Sequence, residues 1–149
     1  MRIGIVGNEA AKFTAETERK AKEVIRTLLS QPNVTAMVSG GCHLGGIDIW
    51  AEEIANEMGI KPVIYLPHIL AWPGYRKRNL LIAGDSDIVH NIVVATYPPE
   101  FSGMRFRGCY HCSDLRLPHV KSGGCWTAMK AKKAEWHIIY QGDPDAHDA

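Results

Sequence analysis

The sequence predicts an α/β protein with a three-layer, Rossmann-like fold of about five parallel strands and a Cys-containing insertion after strand 4. Apolar runs alternate with amphipathic segments along the chain, which is typical of βαβ units with right-handed crossovers. The first run, Arg2–Val6, ends at Gly7-Asn8 and predicts a buried central strand closed by a turn. Two glycine-rich stretches, Ser39–Gly46 and Lys121–Thr127, each precede a helical pattern, and ligands of open α/β sheets bind at such turns.

Each further element follows from its hydrophobic period and from the residues that stop it. Thr14 or Thr17 is the expected N-cap of the first helix, whose apolar residues recur at spacings of three and four. Gln31-Pro32-Asn33 ends this helix, and Met58-Gly59 ends the second. The remaining predictions are strands over Val34–Val38, Pro62–Leu66, Asp87–Ala95 and Trp136–Tyr140, helices over Ile47–Met58, about Lys77–Ala83 and about Thr127–Ala134, and a loop over Pro67–Tyr75.

A single domain is expected over residues 1–142, because a chain of 149 residues is long enough for one hydrophobic core. Residues 97–120 contain Pro98-Pro99 and the sequence Cys-Tyr-His-Cys but show no sustained period, which predicts an insertion. The acidic stretch 143–149 is expected to be a flexible tail.

Composition argues against several classes of protein. The 17 Lys and Arg residues nearly balance the 16 Asp and Glu residues, so no overall positive field favours nucleic acid or anionic membrane. No apolar run approaches the length of a membrane span, and the N-terminal run is too short for a signal peptide. We therefore expect a cytoplasmic protein without a membrane partner, whose four cysteines are free thiols or metal ligands rather than disulfides.

The two glycine-rich stretches have the chemistry of anion sites. Glycine lets backbone N–H groups approach an anion without a Cβ atom in the way, and a helix start adds unpaired donors and the positive dipole end. Two such stretches predict one ligand held from two sides, whereas the alternative is two ordinary turns. The predicted ligand-binding residues are Gly7, Asn8, Ser39, Gly40, Gly41, Gly45, Gly46, Asp48, Arg78, Asn79, Lys121, Ser122, Gly123, Gly124 and Thr127.

Basic and aromatic side chains extend this prediction. Arg78 is expected to hold a phosphate with two parallel hydrogen bonds, and Lys121 is a candidate point charge, with a solvated surface role as the alternative for each. Asn79 is a candidate to bond a base or a loop carbonyl, or to cap a helix. Trp72 is the best candidate to stack on a base, with a hydrophobic lid as the alternative, whereas the other tryptophans are expected to pack in the core or at its rim.

The cysteines suggest a structural zinc site. A C-x2-C pair suits tetrahedral Zn²⁺, and zinc would order an insertion that has few apolar residues. The alternatives are two free thiols in a loop and, for Cys125 near a helix start, a catalytic thiol. The predicted metal ligands, in the pattern C-x2-C-x6-H-x5-C, are Cys109, Cys112, His119 and Cys125.

Three motifs occur in the order found in a known superfamily. The glycine pairs within Ser39–Asp48, then Arg78-Asn79, then Gly123-Gly124 followed by Thr127 resemble the SLOG superfamily. That group includes the Lonely Guy-type phosphoribohydrolases, molybdenum-cofactor carrier proteins and relatives of DNA-processing proteins. The resemblance covers nearly the whole chain except the cysteine insertion. It implies a Rossmann-like sheet that binds nucleotides or nucleotide-derived ligands, and a homodimer or higher oligomer, for which an exposed helix face with Trp50 is the candidate.

The chain departs from the phosphoribohydrolases where these carry a glutamate that acts at the ribosyl bond. The corresponding positions here are Ala128, Met129 and Lys130, so a carboxylate to stabilise charge at the sugar is missing. Asp48 is the nearest candidate catalytic residue, although orienting its loop or binding a ribose hydroxyl is the commoner use of such a carboxylate. We therefore expect a nucleotide sensor, carrier or sequestering protein. The alternatives are phosphoribohydrolase-like cleavage of the base–ribose bond of nucleoside monophosphates, and single-stranded nucleic-acid binding.

Overall fold

In the computed structural model, which describes residues 1–105 and 119–142, the chain folds around a five-stranded, all-parallel sheet flanked by helices. The strands are β1 (Arg2–Gly7), β2 (Ala36–Ser39), β3 (Lys61–Ile64), β4 (Ile88–Val94) and β5 (Ala134–Ile139). The helices are α1 (Ala15–Leu29), α2 (Ile47–Glu57), α3 (Trp72–Asp85) and α4 (Gly123–Lys130), with a 3-10 turn at Ala10–Lys12. The predicted Rossmann-like fold class is confirmed.

The sheet has the strand order β3-β2-β1-β4-β5, so β1 is central. Ile3 of β1 pairs with Met37 of β2 on one side, and Gly7 of β1 pairs with Ile92 of β4 on the other. The chain builds outward from β1 to β2 and β3, and then returns to the other side of β1 to form β4 and β5. This reversal opens a crevice at the carboxyl ends of β1 and β4, which is where open α/β sheets bind ligands.

Apolar residues fill both faces of the sheet. α1 packs against α2, and α3 packs against α4. Neighbouring residues of a strand point to opposite faces, so Ile5 belongs to the first core and Val6 to the second. The first core contains Ile3, Ile5, Ile25, Ile54 and Ile92 with their neighbours, and the second contains Val6, Val38, Ile82, Val89 and Ala128. Burial of this apolar surface is the main term that stabilises the fold.

The start of α1 shows the predicted capping chemistry. Thr14 is the N-cap, and its hydroxyl accepts from the backbone N–H of Thr17 at 3.1 Å. The Thr17 hydroxyl accepts in return from the N–H of Thr14 at 2.8 Å, which completes a capping box. The apolar stripe of α1 is buried and includes Ala21, Ile25 and Leu28.

The third helix is longer than predicted. α3 begins at Trp72 rather than near Lys77, so the predicted loop over Pro67–Tyr75 is wrong in its second half. Proline is tolerated in the first turn of a helix, because its missing N–H has no partner there in any case. Trp72-Pro73-Gly74 therefore opens the helix instead of breaking the chain.

The fourth helix begins earlier than predicted. The sequence suggests a glycine loop followed by a helix from Thr127, but α4 starts at Gly123 and ends at Lys130. Ser122 is its N-cap, and the Ser122 hydroxyl accepts from the N–H of Gly124 at 3.1 Å. The second glycine pair thus forms the first helical turn, because the serine cap offsets the poor helix propensity of glycine.

The predicted insertion is described only in part. Tyr97 stacks on Phe101 with ring centroids 4.9 Å apart, and Val120 N donates to Val94 O at 3.0 Å where the chain rejoins β4. Cys109, Cys112 and the predicted tail 143–149 lie outside the described residues. Over the described part of the chain, no helix has the length and apolar character needed to cross a membrane.

The predicted exposed helix face with Trp50 is wrong. Trp50 is 8 % exposed and its indole packs edge-to-face on Phe13, with ring centroids 4.8 Å apart. It belongs to the core beneath α1 and α2 because α2 turns its apolar stripe toward the sheet.

Candidate functional site

A cavity of about 370 Å³ lies at the carboxyl end of β1, between α3 and α4. Its position matches the crevice created by the reversal of strand order. Residues from both glycine-rich stretches line it. The first contributes Cys42 and Leu44, and the second contributes Lys121, Ser122, Gly123, Gly124, Trp126 and Thr127. The predicted ligand-binding residues that line the cavity are Gly7, Asn8, Asp48, Arg78, Asn79, Lys121, Ser122, Gly123, Gly124 and Thr127.

The other predicted residues of the first stretch shape the loop and are not among the residues that line the cavity; these are Ser39, Gly40, Gly41, Gly45 and Gly46. The Ser39 hydroxyl donates to Ile5 O at 2.6 Å and is fully buried, so it ties β2 to β1. Gly41, Gly45 and Gly46 have φ values of +59°, +75° and +86°, a region that L side chains rarely adopt. These three glycines therefore allow the backbone conformation of the loop between β2 and α2.

Gly46 allows α2 to begin directly against the end of β1. Ile47 N donates to Asn8 O at 3.1 Å, which joins the helix start to the β1 turn. A Cβ atom on Gly46 would collide with Asn8 O and would lie 2.6 Å from Ala10 N. The close approach of two backbones, as well as the positive φ, requires glycine here.

Asp48 places a carboxylate at the start of α2. It lies in the first helical turn, is 8 % exposed, and its Oδ2 accepts from Cys42 N at 3.3 Å. Burial raises the pKa of Asp48 to about 6, although Arg78, the Cys42 N–H and the Ser39 hydroxyl oppose that rise. The positive end of the α2 dipole therefore already has an acidic partner within its own sequence.

Arg78 connects α3 to the first glycine-rich loop. Its Nη1 donates to Gly40 O at 2.7 Å, and its Nε donates to Asn79 Oδ1 at 2.8 Å. Its guanidinium also lies over the Tyr75 ring, with Cζ 5.7 Å from the centroid. Two of the three guanidinium nitrogens therefore donate to groups of the protein itself. The third, Nη2, has no hydrogen-bond partner in residues 1–105 and 119–142.

The start of α4 differs from that of α2. Its first turn contains Gly123, Gly124 and Cys125 and no acidic residue. A Cβ atom on Gly123 would meet no atom of the described residues within 4 Å, so this side of the turn is open. A Cβ atom on Gly124 would lie 2.6 Å from Asn91 Oδ1, so Gly124 packs α4 closely against the sheet.

Asn8 fixes the segment before α4 to the sheet. Its Nδ2 donates to Lys121 O at 3.1 Å and its Oδ1 accepts from Val94 N at 2.9 Å, and the residue is 2 % exposed. Asn8 therefore joins the ends of β1 and β4 to the start of α4. Its observed contacts position the wall of the cavity.

Lys12 also lines the cavity, although it belongs to none of the sequence motifs. Its Nζ donates to Lys121 O at 3.1 Å and lies 3.4 Å from the Glu9 carboxylate. The signal that could have identified it is its place just after Gly7-Asn8, in the turn at the carboxyl end of the first strand.

Aromatic rings form another part of the wall. Trp72 and Trp126 pack edge-to-face with centroids 5.2 Å apart, and both line the cavity with Tyr75. Trp72, the predicted stacking residue, is 50 % exposed, so much of its surface is accessible to solvent. Trp126 was expected to pack in the core or at its rim, but its place beside the glycine pair brings it to the cavity.

Cys125 and His119 lie together behind α4. The Cys125 sulfur is fully buried and accepts from Asn91 Nδ2 at 3.1 Å and from Trp136 Nε1 at 3.4 Å. His119 Nε2 lies 3.2 Å from the same sulfur. Two of the four predicted metal ligands are thus within contact distance, and Cys109 and Cys112 lie outside the described residues.

A second group of metal-type donors was not anticipated. His90 of β4 and Glu135 and His137 of β5 bring two imidazole nitrogens and a carboxylate oxygen within 4.8 Å of one another, which is close enough to hold one metal ion. No local sequence pattern indicates this group, because His90 meets Glu135 and His137 only through the pairing of β4 with β5.

No family model, curated protein or solved structure matches the chain at a significant level. The resemblance to the SLOG superfamily therefore stays a prediction from the three sequence motifs.

Proposed function

We propose that the cavity binds a nucleotide or nucleotide-derived small molecule, with the anionic group of the ligand at the N-terminus of α4. The observation that carries this proposal is the start of α4, where Ser122, Gly123 and Gly124 line the cavity and no acidic residue lies in the first turn. A helix start offers unpaired N–H donors and a positive dipole end, which favour phosphate. Gly123 leaves room for close approach of an anion.

Positive side chains support the same orientation. Lys12 and Lys121 both line the cavity, and Lys12 reaches across to the backbone of Lys121 just before α4. Arg78 lies on another wall of the cavity. Its Nη2 has no hydrogen-bond partner among the described residues and could donate to a ligand. These charges would stabilise a phosphate through charge-assisted bonds.

The aromatic wall suits a nucleobase. Trp72 and Trp126 present large apolar surfaces, and the ring of Trp72 is half exposed. A volume of about 370 Å³ is within the range of about 300–1,000 Å³ common for small-molecule sites. A ligand with an anionic end and a flat aromatic end would match both walls.

Asp48 is suited to a ligand hydroxyl. An ionised carboxylate accepts hydrogen bonds, and ribose hydroxyls are donors that carboxylates at this edge of an α/β sheet commonly bind. Since burial raises the pKa of Asp48 to about 6, the carboxylate is mainly ionised at neutral pH and loses its charge as the pH falls below about 6. Affinity for a ribose-containing ligand should therefore fall over that interval.

Equilibrium dialysis with the common nucleoside monophosphates tests the proposal. The wild-type chain should bind at least one of them, and Trp72→Leu should weaken that binding by about 5- to 150-fold, because base–aromatic stacking contributes about 1–3 kcal/mol. Leu70→Ala is the matched control, since Leu70 is 67 % exposed, lies two residues away and does not line the cavity. Absence of binding by every nucleotide would overturn the proposal.

A second candidate function is cleavage of the base–ribose bond of nucleoside monophosphates. Asp48 favours it, because a buried carboxylate in a cavity with a pKa near 6 has the property of a general acid or base. Chromatographic detection of free base released from the same nucleotides tests it. Release that Asp48→Asn abolishes would establish hydrolysis, and binding without any release would leave the sensor, carrier or sequestering function.

We also propose that His119 and Cys125 contribute to the structural zinc site predicted with Cys109 and Cys112. The convergence of His119 Nε2 and Cys125 Sγ at 3.2 Å in a buried position supports it, since imidazole and thiolate are zinc ligands. Elemental analysis of tag-free protein should show one equivalent of zinc that Cys125→Ser and Cys109→Ser each remove. Two further expectations stay predictions. They are the cytoplasmic location, predicted from the composition, and the homo-oligomer, implied by the SLOG resemblance.

A further inference from the structure

Three metal-type side chains lie on one face of the β4–β5 pair. His90 is paired with Glu135 in the strand register, and His137 is two residues beyond Glu135 on β5, so all three point to the same side of the sheet. His90 Nδ1 lies 3.0 Å from His137 Nε2 and 3.5 Å from Glu135 Oε2. His137 Nε2 lies 3.8 Å from the same carboxylate oxygen.

We propose that His90, Glu135 and His137 form a binding site for a divalent transition-metal ion of the zinc class. Zinc binds imidazole nitrogen at about 2.0–2.1 Å and carboxylate oxygen at about 2.0–2.2 Å, so tetrahedral ligand atoms stand about 3.3–3.5 Å apart. The three observed separations lie within a few tenths of an ångström of these values. Two imidazoles and one carboxylate are also a donor set that zinc, cobalt and nickel accept.

The protonation state of the two histidines favours metal binding. Burial, followed by the neighbouring His137, lowers the pKa of His90 to about 4, and burial also lowers the pKa of His137. Both shifts favour the neutral imidazole, which is the form that ligates a metal. The 3.0 Å approach of His90 Nδ1 to His137 Nε2 requires a proton on one of these two nitrogens, and that proton has to shift to the other nitrogen of its ring when an ion binds.

Access to the site comes from the carboxylate side. The His90 side chain is 5 % exposed, whereas the side chains of His137 and Glu135 are 24 % and 58 % exposed. An ion can thus enter from solvent past Glu135, and water can complete its coordination. Because β5 is the last strand of the sheet, the ion would fasten an edge strand to β4.

This site is separate from the predicted cysteine site. Successive strand residues point to opposite faces, so His90 lies on the face of Ile92 and the first core. The next residue, Asn91, points to the other face, where its Nδ2 donates to Cys125 Sγ. The two groups of metal-type donors are therefore on opposite sides of β4 and differ in chemistry, since only one contains thiolate.

Cobalt titration of the tag-free, chelator-treated full chain tests the proposal. Cobalt bound by nitrogen and oxygen ligands shows only weak visible bands, whereas thiolate ligation adds a strong charge-transfer band in the near ultraviolet. We expect a cobalt ion whose binding persists in Cys125→Ser and in the double variant Cys109→Ser/Cys125→Ser, in which the charge-transfer band is lost. Changing a second-shell partner alone costs about 10–100-fold in metal affinity, so His137→Gln and Glu135→Gln should each lose at least about tenfold.

His68→Gln is the matched control, because His68 is an exposed histidine outside the group and should leave the affinity unchanged. Circular dichroism of each variant separates loss of a ligand from loss of the fold. The proposal is overturned if folded His137→Gln and Glu135→Gln bind cobalt like the wild type, or if folded Cys125→Ser binds none.

Discussion

The tetrapeptide Ser-Gly-Gly-Cys occurs twice, and the two copies form different structures. At Ser39–Cys42 it ends β2 and enters a loop in which Gly41 has a positive φ. At Ser122–Cys125 it is the N-cap and first turn of α4. Asp48 supplies a carboxylate to the helix that follows the first copy, whereas α4 has no acidic residue in its first turn.

The difference shows that a glycine pair before a helix does not by itself define an anion site. A helix start interacts favourably with whichever negative group is near it. In α2 that group is Asp48, which Cys42 N contacts, so a second negative charge there would meet repulsion. In α4 the same dipole is available to a ligand, and this is why we assign the anionic group to the second stretch only.

The largest expected effect concerns the packing glycine of the first stretch. Gly46→Ala should cost more than about 3 kcal/mol of unfolding free energy, because it combines a positive φ with a backbone collision. Gly124→Ala, in the second stretch, should cost about 1–3 kcal/mol, since its methyl group would crowd Asn91 Oδ1 at 2.6 Å and Gly7 N and Val6 Cγ2 at 3.1 Å while the backbone φ is not positive. Urea unfolding followed by circular dichroism measures both.

Gly59→Ala is the control for the backbone contribution, because Gly59 has φ +71° and a Cβ there would meet no described atom within 4 Å. Its expected cost is about 1–2 kcal/mol. If Gly46→Ala cost no more than Gly59→Ala, the close approach of α2 to β1 would not be what requires glycine.

The next effect concerns Asp48, the carboxylate that is present at the start of α2 and has no counterpart at the start of α4. The pKa of Asp48 rises from 3.8 to about 6 on folding, so its contribution favours the folded state below about pH 3.8 and is lost as the pH rises through 6. Asp48→Asn should therefore raise the unfolding free energy near pH 7.5 by about 3 kcal/mol. Urea denaturation of both proteins across this interval measures it, and a variant less stable than wild type at pH 7.5 would contradict the account.

The pair of histidines on β4 and β5 should show the opposite pH dependence, with a smaller size because Glu135 is exposed beside it. The pKa of His90 falls from 6.5 to about 4 on folding, so its contribution is present above about pH 6.5 and is lost as the pH falls toward 4. His90→Asn should reduce the loss of stability between pH 6.5 and 4, as measured by thermal unfolding in metal-free buffer. An unchanged pH profile would show that His90 is not held neutral by its surroundings.

The smallest effect on stability is expected at the open glycine of the second stretch. Gly123→Ala should change the unfolding free energy by no more than about 1 kcal/mol, and in the stabilising direction, because its methyl group would meet no described atom within 4 Å and the unfolded chain loses freedom. Gly84→Ala, at an exposed and equally open position of α3, should do the same. The two variants differ in that only Gly123 lines the cavity.

The sequence predicted the fold class and the approximate strands because hydrophobic period and turn residues are local signals. The predicted starts of α3 and α4 are wrong because proline and glycine are typical of loops, whereas proline and capped glycine are also tolerated in a first helical turn, as at Pro73 and at Gly123-Gly124.

Other features depend on contacts that no local signal encodes. The bond of Arg78 to Gly40 O joins two distant elements, and the group of His90, Glu135 and His137 depends on the register of β4 against β5. The single-domain prediction and the SLOG resemblance stay predictions.

Calorimetry with a nucleoside monophosphate and its unphosphorylated nucleoside tests the central claim most directly. The account predicts that the phosphate increases affinity in the wild type. Gly123→Ala should remove much of this increase in affinity, whereas Gly84→Ala and Asp48→Asn should not reduce it. A phosphate contribution unaffected by Gly123→Ala, or no heat with any phosphorylated nucleoside, would contradict the assignment of the anion to the start of α4.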